Sequence, residues 1–138
     1  MSTGIAPEDY VAVTDFIGRY FWYVDENMSD EWVNCWTEDG VFHMIGSASV
    51  PKPLVGREAL SAIPALSFRL SEGKMRHQFS NLFCDYGASR NEVTATFDEL
   101  VTNWKSGGAF QTMAVCKMSL VREGGGWKVK RNDVKGIG

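Results

Sequence analysis

The sequence has little of what metal sites, disulfide frameworks and nucleic-acid-binding surfaces require. Its 138 residues include only two histidines, His43 and His77, and three cysteines, Cys35, Cys84 and Cys116. The cysteines are odd in number, widely spaced and match no zinc pattern, so we expect reduced thiols in a cytoplasmic protein. Two histidines without a His/Asp/Glu cluster predict no metal site. A net charge of −3 argues against nucleic acid as a partner.

Long hydrophobic runs and targeting segments are also missing. The longest apolar stretch, residues 16–24, contains Arg19 and is too short to span a bilayer. Residues 1–4 lack the basic and apolar regions of a signal peptide. The glycines at 124–126 lack the Lys-Ser/Thr and the following helix of a phosphate loop. The sequence therefore predicts a protein without a membrane partner, formed by one domain over residues 1–138.

The first half of the chain predicts helices. Apolar residues recur from Val13 at i, i+4, i+7 and i+11, which predicts a helix over residues 7–26. Two further helices are predicted over residues 30–36 and 56–69. The second of these should kink or end near Pro64, because proline removes a helix hydrogen bond.

The second half predicts strands. A short strand is predicted over residues 41–45 after the turn sequence 37–40, and beyond Gly73 the apolar period changes from helical to two. Glycine-bearing connections between the later extended runs are typical of antiparallel hairpins. Those strands are predicted over residues 75–85, 92–104, 109–122 and 127–134. Helices followed by a strand meander predict an α+β fold, whose curved sheet would leave a cone-shaped cavity.

Several motifs, in this order, resemble the SnoaL-like branch of the NTF2-like superfamily. They are the aromatic helix ending in Asp25, Trp-Thr-Glu-Asp-Gly-Val-Phe at 36–42, Gly-Arg-Glu-Ala at 56–59, Arg-His-Gln-Phe-Ser-Asn-Leu at 76–82 and Gly-Trp-Lys-Val at 126–129. The resemblance covers nearly the whole chain. It implies an NTF2-like cone, in which N-terminal helices pack on a strongly curved, mixed and largely antiparallel sheet. It also implies a homo-oligomer, a dimer or a trimer.

Residues 18–25 resemble the helix end of the superfamily's cofactor-free lyases, such as scytalone dehydratase, hexachlorocyclohexane dehydrochlorinase and bile-acid 7α-dehydratase. The resemblance implies that Asp25 pairs with His77. A neutral imidazole can take a proton near neutral pH, and the carboxylate would fix its tautomer and stabilise the imidazolium. The alternative is a core histidine with another acceptor and a solvated Asp25. The ketosteroid isomerase pattern fits worse, because the first strand has no acid where that family places its base. Alternation predicts that His77 shares one strand face with Phe79, Asn81 and Phe83.

Further polar residues are candidates for the same site. The resemblance implies that Tyr20 donates a proton or orients the substrate, and Tyr23 could bond a substrate oxygen. For both, the alternative is core packing with a satisfied hydroxyl. Glu99 lies on the more apolar face of its strand and could act as a second acid or pair with Arg131. Both could instead be exposed at strand ends. Candidate lining residues, or simple core residues, are Phe42, Met44, Phe68, Phe79, Phe97, Cys116 and Met118.

The sequence thus predicts a cofactor-independent lyase that uses an Asp–His dyad on a hydrophobic cyclic or aromatic oxygenated small molecule. Proton removal from carbon gives dehydration or elimination of HX. Proton removal from a hydroxyl gives retro-aldol release of a small aldehyde. The alternatives are an isomerase or cyclase with the same base, or a non-catalytic small-molecule-binding module.

Overall fold

A computed structural model describes residues 4–137 of the chain. Residues 1–3, on which the expectation of no signal peptide partly rests, and residue 138 lie outside that range. The helices are α1 (Pro7–Asp25), α2 (Ser29–Asn34), α3 (Arg57–Leu60) and α4 (Ile63–Ser71). The strands are β1 (Trp36–Ile45), β2 (Leu54–Val55), β3 (Met75–Tyr86), β4 (Glu92–Asn103), β5 (Ala109–Glu123) and β6 (Gly126–Gly136).

The strands form one mixed sheet in the order β2-β1-β6-β5-β4-β3. Strands β3 to β6 are an antiparallel meander, and β1 joins β6 in parallel. The two edge strands, β2 and β3, do not pair, so the sheet is open. The predicted α+β class with a mixed, largely antiparallel sheet is confirmed.

Helix α1 follows from its sequence and delivers one carboxylate to the sheet. Pro7 begins the helix, and Glu8 and Asp9 lie in its first turn, where the helix dipole favours acids. Its buried face consists of Val13, Ile17, Tyr20, Phe21 and Val24. Asp25 is buried as well, although the C-terminal end of a helix disfavours a negative charge. A buried carboxylate in that position indicates a specific partner.

Two boundaries differ from the sequence-based expectation. Strand β1 begins at Trp36, because the predicted turn at 37–40 is a register irregularity inside the strand. Gly40 allows it: a Cβ there would lie 2.7 Å from Cε3 of Trp36. The predicted third helix is divided into α3 and α4, and Pro64 lies in the first turn of α4. Proline is compatible with that first turn, so the break precedes it.

A bulge in β3 limits the face predicted for His77. Asn81 adopts a left-handed backbone with φ of 55°, and the pairing with β4 shifts between Ser80 and Phe83. An extra residue in a strand reverses the alternation beyond it. Phe83 is consequently 57% exposed, while Cys84 is buried. The prediction that Asn81 and Phe83 continue the face of His77 is therefore wrong.

Candidate active site

Asp25 at the end of α1 holds His77 at the start of β3 through two contacts. The backbone N–H of His77 donates to Oδ2 of Asp25 at 2.9 Å, and Nδ1 of the ring lies 2.5 Å from Oδ1. The side chains of His77 and Asp25 are only 15% and 4% exposed. Since the carboxylate accepts, the proton of the neutral ring belongs on Nδ1, which leaves the lone pair on Nε2. Nε2 is therefore the ring atom available to take a proton.

The surroundings of His77 fix the ring and strengthen it as a base. The ring of Phe21 stacks on it, with centroids 5.3 Å apart and planes 8° from parallel. Burial alone would lower the pKa of His77, but the hydrogen bond with Asp25 and the charges of Asp25 and Glu99 outweigh it. The pKa of His77 is raised as a result. Arg76 and Glu26 form an ion pair at 2.8 Å next to the dyad and join the same helix end to the same strand.

His77 opens into a cavity of about 390 Å³ between the helices and the sheet. Apolar side chains dominate its wall, including Phe21, Val24, Trp32, Phe42, Met44, Ile63, Leu66, Leu70, Met75, Val101 and Val134. Its polar side chains are Tyr20, Ser49, Ser67, His77, Glu99, Gln111, Thr112 and Asn132. Within residues 4–137, no lysine or arginine lines it. A mostly apolar cavity with a few placed polar groups is typical of a small-molecule site.

Tyr20 on α1 lines the deep end of this cavity, which is the part formed by the buried residues Tyr20, Glu99 and Asn132. Its hydroxyl accepts a hydrogen bond from Nδ2 of Asn132 at 3.2 Å, and its side chain is 3% exposed. Burial raises the pKa of Tyr20, the bond from Asn132 opposes that effect, and the charge of Glu99 adds to it. Tyr20 therefore stays a protonated phenol, whose O–H can donate to a ligand oxygen.

Glu99 on β4 shares this end of the cavity and is 7% exposed. The predicted buried face of β4 is confirmed, because Val93, Ala95, Phe97, Glu99 and Val101 are all buried. Cys116 on β5 donates through Sγ to Oε2 of Glu99 at 3.0 Å. Burial, and then the charge of Glu99, raises the pKa of the Cys116 thiol, which remains neutral. Glu99 is thus a buried carboxylate whose hydrogen bond, within residues 4–137, comes from a weak donor.

Arg131 does not reach the cavity, contrary to the expectation from the sequence. The pairing of β5 with β6 shows why. Consecutive residues of β5, Ser119 and Leu120, pair with Arg131 and Val129 of β6, so β6 carries one extra residue, Lys130. This bulge reverses the alternation, and Arg131 turns to the outer face of the sheet.

On that outer face Arg131 pairs with Asp133 at 2.9 Å and 3.0 Å. Asp133 also lies 3.4 Å from Nδ1 of His43, so His43 faces away from the cavity. The same bulge turns Asn132 inward, and Asn132 is 1% exposed. Sequence reasoning missed Asn132; its signal was a lone amide between the apolar Val129 and Val134.

Some of the other predicted lining residues line the cavity, and the rest lie outside it. Phe42 lines the cavity, whereas Phe79, Phe97 and Cys116 do not. Phe79 and Phe97 instead pack on Phe21 at centroid distances of 6.1 Å and 6.0 Å, which supports the ring that stacks on His77. The remaining predicted residues outside the lining are Tyr23, Phe68, Met118 and Arg131. Tyr23 is half-buried against the core and interacts with Arg19.

Metal-binding clusters and membrane spans are both missing from the described range. Residues 4–137 contain no group of three or more His, Cys, Asp or Glu side chains that could hold a metal ion. No helix in that range has the length and apolarity needed to cross a membrane.

The fold defines an NTF2-like protein, with helices packed on an open mixed sheet and a cavity between them. The profile of the SnoaL-like domain matches residues 6–133. The chain therefore belongs to the SnoaL-like family, in a superfamily that includes polyketide cyclases and dehydratases. A comparison with curated protein sequences gives no significant match.

Solved structures agree with this fold. Aln2 from a Streptomyces species is 21% identical, with a TM-score of 0.85 over 97% of this chain and 94% of Aln2. A protein from Catenulispora acidiphila in complex with S-DNPA is 26% identical, with a TM-score of 0.78 over 95% of each chain. A putative scytalone dehydratase from Novosphingobium aromaticivorans is 17% identical, with a TM-score of 0.75 over 94% of this chain and 85% of that chain. The predicted resemblance to the superfamily is confirmed.

Proposed function

We propose that this protein is a cofactor-independent lyase in which His77 is the general base and Asp25 orients it. The observation that carries the proposal is the double contact of Asp25 with the backbone and the ring of His77, at the wall of an apolar cavity. A histidine of raised pKa that lines a cavity and is held from behind by a buried carboxylate is typical of catalytic sites.

The proposed chemistry begins with a proton. His77 accepts it at Nε2 from a carbon or a hydroxyl of the substrate, and Asp25 stabilises the imidazolium that forms. Tyr20 holds or protonates a substrate oxygen through its O–H. A positioned base contributes roughly 10²–10⁴-fold to the rate. The apolar wall and the fixed dipoles of the cavity must supply the remainder, because electrostatic groups act more strongly where water is excluded.

The substrate class follows from the same wall. An apolar cavity of about 390 Å³ suits a cyclic or aromatic molecule, and the few polar groups suit one that carries oxygen. Loss of water or HX after removal of a carbon proton, or retro-aldol release of a small aldehyde after removal of a hydroxyl proton, would use the same base. The likeness to a putative scytalone dehydratase supports dehydration among these.

Two other functions use the same cavity. An isomerase or cyclase would employ His77 without a leaving group, and the membership of cyclases in the superfamily supports this alternative. A small-molecule-binding module would have the cavity without turnover. A dimer or trimer, and a cytoplasmic location, stay predictions.

A substrate screen with histidine variants tests the proposal. Aromatic diols and hydroxy-ketones are incubated with wild type, His77→Ala and His43→Ala, and products are followed by absorbance and mass spectrometry. His43 is the matched control, because it lies on the outer face next to Asp133. We expect His77→Ala to lose about 10²–10⁴-fold in kcat/KM, with His43→Ala close to wild type. Activity that survives His77→Ala would refute the base. Ligand binding without turnover in wild type would favour the binding module.

A further inference from the structure

The residues at the deep end of the cavity and directly beneath it form one diagonal row across the sheet. His77 pairs with Val101 in the β3–β4 register, so Glu99 is its diagonal neighbour. Cys116 is diagonal to Glu99 in the β4–β5 register. Asn132 is diagonal to Cys116 in the β5–β6 register. Diagonal neighbours on one face lie about 7–8 Å apart. The row therefore extends from the proposed base at His77 to Asn132, beneath Tyr20.

Glu99 is the only carboxylate in the lining of this cavity within residues 4–137. It forms a hydrogen bond with the Cys116 thiol through one oxygen, Oε2, and no lysine or arginine from the described range lines the cavity to neutralise it. A thiol is a weak donor. A buried carboxylate without a strong partner is costly, so a ligand that donates to it is favoured.

Tyr20 lines the same cavity as Glu99 and supplies a hydrogen-bond donor. Its oxygen is already bonded to Asn132, so its O–H proton is free to donate into the cavity. A ligand group beside both side chains would accept from Tyr20 and donate to Glu99. A hydroxyl does both. A carbonyl or a halide can only accept, and a carboxylate would in addition repel Glu99 at short range in a low-dielectric site.

We propose that Glu99 selects neutral substrates that carry a hydroxyl group, which is held between Tyr20 and Glu99, and rejects anionic and purely accepting analogues. This inference rests on the proposed function for its site, and it narrows the substrate class of that site. Hydroxylated substrates are compatible with dehydration, retro-aldol cleavage and isomerisation. Elimination of HX from a substrate whose polar group is a halide alone is not compatible with this selectivity.

Binding of three naphthalene derivatives tests the inference without turnover. The probes are 2-naphthol, 2-methylnaphthalene, which replaces the hydroxyl with a methyl of similar size, and 2-naphthoate, which is an anion. Affinities are measured by isothermal titration calorimetry. The proteins are wild type, Glu99→Gln, which keeps the shape without the charge, and Glu99→Met, which keeps the length without a carboxylate. Glu123→Gln is the matched control, because Glu123 is exposed on β5.

The comparison between proteins cancels the different solvation of the ligands. We expect the ratio of naphthol to methylnaphthalene affinity to fall by about tenfold to a hundredfold from wild type to Glu99→Met, the range for hydrogen bonds with a charged partner. Glu99→Gln should lose part of that ratio, and both variants should bind naphthoate at least about tenfold more tightly than wild type, since the repulsion is removed. Glu123→Gln should match wild type.

The inference is overturned if the ratio is the same in wild type, Glu99→Gln and Glu99→Met. It is equally overturned if wild type binds no naphthol or prefers naphthoate. Circular dichroism confirms that each variant is folded before its affinities are compared. His77→Gln separates this inference from the proposed function: with that variant the affinity ratio should persist while turnover is lost. A wild type that shows the ratio but turns over no substrate contradicts the lyase and leaves the selectivity of Glu99 standing.

Discussion

Replacement of Asp25 by asparagine separates the proposed role of this residue from the role of the base itself. The carboxylate accepts two hydrogen bonds from His77, one from the backbone N–H and one from the ring. An asparagine has one oxygen and one amino group, so it can satisfy only one of these donors. If its oxygen keeps the backbone bond, its amino group faces Nδ1. The ring then carries its proton on Nε2 and presents no lone pair to the substrate.

The expected loss of activity follows from the tautomer, and the expected loss of stability follows from the burial of Asp25. Because the wrong tautomer removes base catalysis, we expect kcat/KM to fall by roughly 10²–10⁴-fold. Asp25 is only 4% exposed, so solvent does not screen the lost bond. The free energy of unfolding should decrease by about 1–3 kcal/mol, the cost of an unsatisfied buried partner. KM should change little, since Asp25 is not among the residues that line the cavity.

The assay measures kcat and KM for Asp25→Asn, Asp25→Ala and wild type on whichever compound the screen yields, together with thermal unfolding. Nitrogen chemical shifts of His77 report its tautomer directly. A variant Asp25→Asn with kcat close to that of wild type would refute the orienting role. A large loss of activity with an unchanged tautomer would assign the loss to another cause.

Further predictions follow from the same geometry. Since the pKa of His77 is raised above its usual value of 6.5, kcat/KM should rise with pH and reach half its maximum above 6.5; a midpoint at or below that value would contradict it. Because the pKa of His77 is higher in the folded than in the unfolded protein, protonation of His77 stabilises the fold. This contribution is fully present below the unfolded pKa and is lost as pH rises through the folded pKa. The difference in unfolding free energy between wild type and His77→Gln should therefore shrink over that window. Arg131→Ala should change stability by less than about 1 kcal/mol and leave activity intact, because its pair with Asp133 is partly exposed on the outer face. Asn132→Ala, one residue further, should lower stability by about 1–2 kcal/mol and raise KM, because it removes the donor to Tyr20; equal effects of the two substitutions would contradict the opposite orientations of these side chains.

Much of the architecture could be predicted because the relevant signals are local. The apolar period of residues 7–26 specifies a helix, and the glycine-bearing connections between later runs specify hairpins. The predicted start of β1 was wrong because pairing with β6 overrode a local turn signal. The turn-like sequence at 37–40 stays within β1, because Trp36 and Val41 pair with β6 on either side of it. The missing Cβ of Gly40 leaves room for the ring of Trp36.

The candidate site was predictable only in part, because strand alternation fails at bulges. One extra residue reverses which side chains face the helices. The local sequence around Asn81 and Lys130 did not lead us to predict either bulge. Unbroken alternation from Trp127 and Val129 would place Arg131 in the cavity, but the bulge at Lys130 turns Arg131 outward and Asn132 inward.

Local patterns and motifs were enough to predict the class of fold, the family and the two residues that could form an acid–histidine pair. The packed chain was needed to show that Asp25 and His77 meet at 2.5 Å. It was also needed to show that Glu99 lines the same cavity as His77, with Cys116 as its hydrogen-bond donor. This difference arises because helix and strand periods depend on residues that are close together in the sequence. The distance between residues 52 positions apart depends instead on how α1 packs on β3, which the register and bulges of the whole sheet establish together.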